Sequence, residues 1–159
     1  RMSVDIPDIF EKVIREKPTG DMLEAVMNNY EENEFIVKAA APADYRVKNF
    51  SIHKIKAKEL SLELEKTPDI AKAVGAVKGD RKLIIFSAET DDLIENARKK
   101  LAAKNADMVV ANDVTKEGAG FNVDTNIATI ITKAGKVYDY DIMPKSRLAE
   151  IILDHMHEL

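Results

Sequence analysis

Three short apolar runs, each ending in polar residues and set apart by stretches of helical spacing, restrict this chain to an alternating strand and helix design. They are Phe35 to Ala41 (FIVKAAA), Lys82 to Ser87 (KLIIFS) and Asp107 to Ala111 (DMVVA). A run this short and this continuous reads as a buried strand, and the cluster Pro42-Ala43-Asp44-Tyr45-Arg46 reads as the loop at the end of the first. Between the second and third runs, Asp91 to Lys104 places Leu93, Ile94, Ala97 and Leu101 at helical spacing, with Thr90 as the expected N-cap. Asp21 to Tyr30 suits an amphipathic helix leading into Phe35, and Pro68-Asp69-Ile70 opens another before Lys82. Strands alternating with helices imply a three-layer, doubly wound, mainly parallel α/β sheet of Rossmann-like type, which collects ligands beyond the carboxyl ends of its strands.

Two stretches break the alternation. Ile52 to Glu65 carries a Lys54, Lys56, Lys58 series and a Leu60, Leu62, Leu64 series, both with period two, and reads as an extra β-arm around residues 52–64 standing off the main sheet. Asn126 to Thr132 and Val137 to Asp141 flank Lys133-Ala134-Gly135-Lys136 as a terminal hairpin. Lys145 to Leu159 is a closing helix with Leu148, Ile151, Ile152 and His155 or Met156 turned inward. With 159 residues and no linker or repeat, residues 1–159 are read as one domain.

Composition narrows the function. A net charge of −4 gives no protein-wide positive field, so neither nucleic acid nor an anionic membrane is an expected partner, and any anion site is local. Cysteine is absent, which removes disulfides, thiolate metal sites and cysteine nucleophiles and points to the cytoplasm. No apolar run reaches the roughly 18 residues of a membrane span. The six glycines form neither a dinucleotide fingerprint nor a P-loop, and no serine sits in a nucleophile elbow. His155 and His157 lie two apart, so a helix turns them to different faces and they read as structural.

What remains is charge at strand ends. Asp44, past the first strand, can take a ribose, a base or a cation, or can simply pair with Arg46. Lys54, Lys56 and Lys58 share one face of an extended segment, where lysines serve a ligand or guard an exposed edge. Lys100 and Lys104 point from one helix face, able to grip a polyphosphate or to face water near the negative end of the helix dipole. Phe86 is a core residue or a stacking surface, and Asn112-Asp113 is equally open at another carboxyl edge. Their common direction is an anionic, nucleotide-like ligand.

A series of local motifs then adds a more specific reading. Ala39-Ala40-Ala41-Pro42-Ala43-Asp44-Tyr45-Arg46 resembles the AAVADYR segment of the phosphopantothenoylcysteine synthetase family, the ligase half of the bifunctional coenzyme A biosynthesis proteins. In the same order, Lys54-Ile55-Lys56 resembles the family's KIKK stretch, Thr67-Pro68-Asp69-Ile70 its (T/N)PDI, and Phe86-Ser87-Ala88-Glu89-Thr90 its GFAAET. Lys100 with Lys104 resembles its paired lysines, Ala111-Asn112-Asp113-Val114 its ANDV, and Gly120-Phe121-Asn122 to Asn126 its GFxxDxN. Pro42 stands where the pattern has Val, and Ser87 where it has its first Ala.

The resemblance implies a ligase that joins 4′-phosphopantothenate to cysteine with CTP and Mg²⁺ through an acyl-cytidylate, acting as a homodimer. It places the nucleotide on Ala39, Ala40 and Asp44. Pro68, Asp69, Ile70 and Ala71 with Phe86 would surround the base and ribose, and Lys100 and Lys104 would hold the triphosphate. Lys54 would act as the catalytic cation, and Arg46 and Asn112 are additional candidates. No residue is expected to bind Mg²⁺ directly, since the nucleotide carries it. The family's glycine-rich first turn and its Asn and Ser-Gly-Lys-Met-Gly segment have no counterpart. The chain starts near a loop at Val4 to Pro7 and a strand at Phe10 to Arg15, so it is expected to be the later part of a synthetase domain. FMN, which belongs to the decarboxylase half, is not expected.

Overall fold

A computed structural model gives the fold. It describes residues 12–14, 19–49, 51, 53–56, 58–116 and 123–159. The expected Val4 to Pro7 loop, most of the Phe10 to Arg15 strand, and Gly120-Phe121-Asn122 lie outside the described residues.

The chain runs α1 (Thr19–Met27), a 3-10 turn (Tyr30–Glu32), β1 (Phe35–Lys38), β2 (Tyr45–Val47), β3 (Leu64–Lys66), α2 (Ile70–Val77), β4 (Lys82–Glu89), α3 (Leu93–Ala103), β5 (Met108–Asp113), β6 (Thr125–Thr132), β7 (Val137–Pro144) and α4 (Lys145–His157). Five strands form one sheet in the order β1-β4-β5-β6-β7. The three apolar runs of the sequence are its parallel strands β1, β4 and β5, and the terminal hairpin adds β6 and β7 antiparallel. Gly135, at φ +88°, makes the hairpin turn that an L side chain would strain.

Side chains alternate across each strand, so one sheet supports two cores. Ile36, Leu83, Ile85 and Val109 pack with α1, α2 and α3 on one side. Ile84, Met108, Val110 and Ile130 pack with Leu148, Ile152 and Met156 of α4 on the other. The result is the three-layer arrangement expected from the alternation.

Helix starts follow the sequence with one correction. Asp69 caps α2, its carboxylate accepting from the Lys72 amide at 3.1 Å. Thr90, the expected cap of α3, instead donates to the Asp91 carboxylate at 3.1 Å. β4 runs on to Glu89, beyond its expected end, so the turn into α3 falls on residues 90–92 and Asp92 takes the cap position at φ +43°. Asp tolerates that left-handed conformation better than most residues.

The arm is also rearranged. The small second sheet pairs Tyr45–Val47 with Leu64–Lys66, and Lys48 donates to the Glu63 carbonyl at 2.9 Å. Among the described residues, Lys54, Lys56, Lys58, Leu60 and Leu62 lie outside any strand. Ladder bonds and the Arg46–Glu65 ion pair hold the base of the arm, and the period-two series beyond it find no partner strand.

Gly75 of α2 meets the backbone at the end of α3 with no space to spare. A Cβ on Gly75 would lie 1.8 Å from the Lys104 carbonyl oxygen, and the Asn105 side chain donates to the Gly75 carbonyl at 2.8 Å. Gly75→Ala is therefore expected to cost about 1–3 kcal/mol through forced backbone displacement. The shift of the urea midpoint at unchanged slope measures it.

Candidate functional site

The carboxyl ends of β1, β4 and β5 gather polar side chains on the α2 and α3 side of the sheet. Ser87 and Glu89 are two apart on β4 and face α3 together. The Lys100 ammonium lies 2.6 Å from Glu89 Oε1 and 2.8 Å from Ser87 Oγ, and the Ser87 hydroxyl donates to the same carboxylate. Glu89 is buried, while the Lys100 side chain stays 41% exposed and so reaches solvent from an anchored position.

Lys104 does not trail into water, as lysines near helix C-termini usually do. Its ammonium crosses to the cap of α2 and lies 3.3 Å from Asp69 Oδ2. Lys38, at the end of β1, completes this group. Burial pushes its ammonium below the usual lysine value, the neighbouring Lys104 adds to the shift, and Asp69 and Asp44 partly offset it. Asp44 is brought here by two bonds from Thr67, whose amide donates to the Asp44 carbonyl at 2.9 Å and whose hydroxyl donates to the Ala43 carbonyl. The fold thereby joins the Ala43-Asp44 and Thr67-Pro68-Asp69 motifs, which are more than twenty residues apart.

Asp69 balances opposing influences. Burial raises its carboxyl, and the Lys72 amide with the Lys104 and Lys38 ammoniums more than reverses that, leaving it below the ordinary 3.8. A carboxyl depressed by folding stabilises above its unfolded pKa and loses that contribution as pH falls through the folded value. Asp69→Ala is expected to cost about 1 kcal/mol at neutral pH. In acid the parent and variant melting curves should converge.

The α4 side is different in kind. Ala39, Phe86, Ala88, Asn112 and Val114 line a slot of about 330 Å³ against Leu148 and Ile152, with Asn126 and Lys145 at its polar end. Among the described residues Asn112 Oδ1 is buried there without a hydrogen-bond partner, an arrangement that costs about 1–3 kcal/mol unless a donor arrives. Asp113, next in sequence, accepts from the Thr115 amide and hydroxyl and closes a turn.

The expected site residues thus fall into groups. Asp44, Asp69 and Lys104 come together with Lys38. Lys100 stands with Ser87 and Glu89, while Ala39, Phe86 and Asn112 share the slot. Ile70 and Ala71 are buried in the core on the α2 side, so only their backbone is available to a ligand. Pro68 and Ala40 are exposed beside these groups. Arg46 pairs with Glu65 at 2.6 Å across β2 and β3, not with Asp44 as its simplest reading supposed. Lys54 is exposed on the arm and pairs with no described residue. His155 bonds the Tyr140 hydroxyl at 2.7 Å, and His157 sits edge-on to Phe35, so both act in packing.

Comparison with known proteins now adds to the geometry. The family described as DNA/pantothenate metabolism flavoprotein C-terminal domain matches residues 4–159. The chain belongs to that family. The coenzyme A biosynthesis bifunctional protein CoaBC of Bacillus subtilis (strain 168) is 42% identical over 160 residues, covering 99% of this chain and 39% of that protein. The Escherichia coli (strain K12) protein of the same name is 37% identical over 108 residues, 64% of this chain and 27% of its own length. Among solved structures, the C-terminal domain of a CoaBC protein matches with a TM-score of 0.71 at 42% identity, over 87% of this chain and 63% of that one. This member of the pantothenate metabolism flavoprotein C-terminal domain family therefore spans less than half the length of those bifunctional relatives.

Within this family frame, two charged residues escaped the sequence reading. Lys38 interrupts the apolar run Phe35 to Ala41, and that interruption was its signal. Glu89 lies two residues after Ser87, at the spacing that puts both on one strand face. Among the described residues no helix is long and apolar enough to cross a membrane.

Proposed function

We propose that this chain is the later part of a phosphopantothenate–cysteine ligase domain, a cytoplasmic homodimer that uses CTP. The carboxylate of 4′-phosphopantothenate attacks the α-phosphorus of CTP and pyrophosphate leaves. The amine of cysteine then displaces CMP from the acyl-cytidylate and loses a proton as the amide forms. No protein nucleophile is required, so catalysis rests on alignment and charge.

The observation that carries this reading is the pairing of Lys104 with Asp69 beside Lys38 and Asp44. It brings three separated motifs to the carboxyl edge where α/β proteins bind ligands. Lys100, Lys104 and Lys54 would hold the triphosphate and the charge developing at the acyl phosphate. Backbone at Pro68, Asp69, Ile70 and Ala71 with Ala39, Ala40 and Asp44 would fix the nucleoside, and Phe86 would lie against it. Asn112 would offer its unpartnered oxygen to a donor on the ligand, and Arg46 would act through the arm. Mg²⁺ carried by the nucleotide would supply neutralising charge.

The decisive experiment is pyrophosphate release from Mg²⁺ and CTP with 4′-phosphopantothenate, run with and without cysteine. Release that needs the acid but not cysteine supports the two-step order, and CTP binding without release reduces the chain to a nucleotide-binding part. Dimerisation would use the arm, where Tyr45, Ile55, Leu60, Leu62 and Leu64 are all more than half exposed. Light scattering is expected to give twice the chain mass, and Leu62→Asp to reduce it.

A further inference from the structure

The polar group at the end of β4 contains more than one candidate contact for a nucleotide. Lys100 carries three N–H donors, and two of them are engaged by Glu89 Oε1 at 2.6 Å and Ser87 Oγ at 2.8 Å. Ser87 in turn donates to Glu89, so the carboxylate, the hydroxyl and the ammonium close a three-membered network. Glu89 and Ser87 are 7% and 5% exposed and belong to a rigid central strand. Their oxygens cannot follow the lysine if it moves. A free lysine has a flexible four-carbon stem that loses much rotamer entropy when it grips a ligand, and this one has lost that freedom beforehand.

An ordinary surface ion pair has both partners in water and is worth little. Here the carboxylate is buried and only the ammonium emerges, with its remaining N–H directed away from the two oxygens that hold it. Ser87 is informative because it replaces an alanine in the motif this segment resembles, so the second anchor is a feature of this chain.

We propose that Glu89 and Ser87 are positioning residues that fix Lys100 and aim its remaining N–H at the phosphate oxygens of the bound nucleotide. This rests on the reading of Lys100 as a nucleotide contact. The rival reading makes Glu89 a competitor that occupies Lys100 until phosphate displaces it, and the two differ in sign.

The test is calorimetric titration of the chain with Mg²⁺ and CTP, using Ser87→Ala, Glu89→Gln, Lys100→Gln and the double variant Ser87→Ala with Lys100→Gln. Melting curves accompany each titration to show that the variants remain folded. Ser87→Ala is expected to weaken binding about 5-fold in the parent background and not at all in the Lys100→Gln background, since coupled neighbours are non-additive. Glu89→Gln, which keeps the shape and removes the charge, is expected to weaken binding about 10-fold. Tighter binding by Glu89→Gln, or an equal loss from Ser87→Ala in both backgrounds, overturns the proposal. If Lys100→Gln itself binds CTP like the parent, the assignment of Lys100 to the nucleotide has failed and the positioning role falls with it. A folded parent that binds no CTP likewise removes the nucleotide reading and this inference together.

Discussion

Asp107→Ala is expected to lower the stability of the fold by about 3–5 kcal/mol, the cost of breaking a buried ion pair by removing one partner. Asp107 and Lys78 are both buried, and their charged atoms lie 2.8 Å apart. The same Asp107 oxygen accepts the Leu83 amide at 2.8 Å, so one carboxylate ties the end of α2 to the starts of β4 and β5. With alanine in its place, Lys78 keeps, among the described residues, the Arg81 carbonyl at 2.9 Å as a partner, and the Leu83 amide loses its acceptor. A domain with about 5–15 kcal/mol in total is left marginal by such a loss. Urea unfolding measures it. Lys78→Met is expected to cost less, because the orphaned carboxylate retains the Leu83 amide, and a difference in the other direction would contradict this account.

Lys54→Gln is expected to reduce the rate of acyl-cytidylate formation by about 10²-fold, the scale for removing one preorganised charge contact from a transition state. Lys54 is the cleanest of the candidate cations to test because it is exposed and pairs with no described residue. Its removal leaves no buried carboxylate behind, so stability should change by less than about 0.5 kcal/mol. Lys100 and Lys104 lack that advantage, since each leaves an acid unpaired. Pyrophosphate release measured alongside the melting curve separates the effects. A loss smaller than about 3-fold in an active ligase would take Lys54 out of the reaction.

The parallel strands and the helix between β4 and β5 were legible because period and composition agree along β1, α3, β4 and β5. Apolar runs of strand length alternate with helical spacing there, and nothing competes. The arm was harder to read. Alternation of Lys and Leu from residue 54 to residue 64 satisfies a strand pattern, yet a ladder also needs a partner, and among the described residues only Tyr45–Val47 with Leu64–Lys66 supply one. The start of α3 was misplaced for a related reason, since Thr90 has the chemistry of a cap but β4 extends to Glu89 and leaves it in the turn.

In the site, residue types at strand ends could be read, but partners could not. That Lys104 meets Asp69 depends on the end of α3 meeting α2 at Gly75, a close approach that no local pattern encodes. That Arg46 turns to Glu65 depends on the register of the arm. Motif resemblance supplied what spacing could not, by grouping residues whose proximity is created only by folding.

The buried Lys78–Asp107 pair lies at the amino ends of β4 and β5, and the candidate ligand groups lie at their carboxyl ends. Mutational drift at the ligand end therefore leaves the clamp at the far end intact. A lineage could retune which anion it grips, or lose that grip entirely, and still inherit a chain that folds.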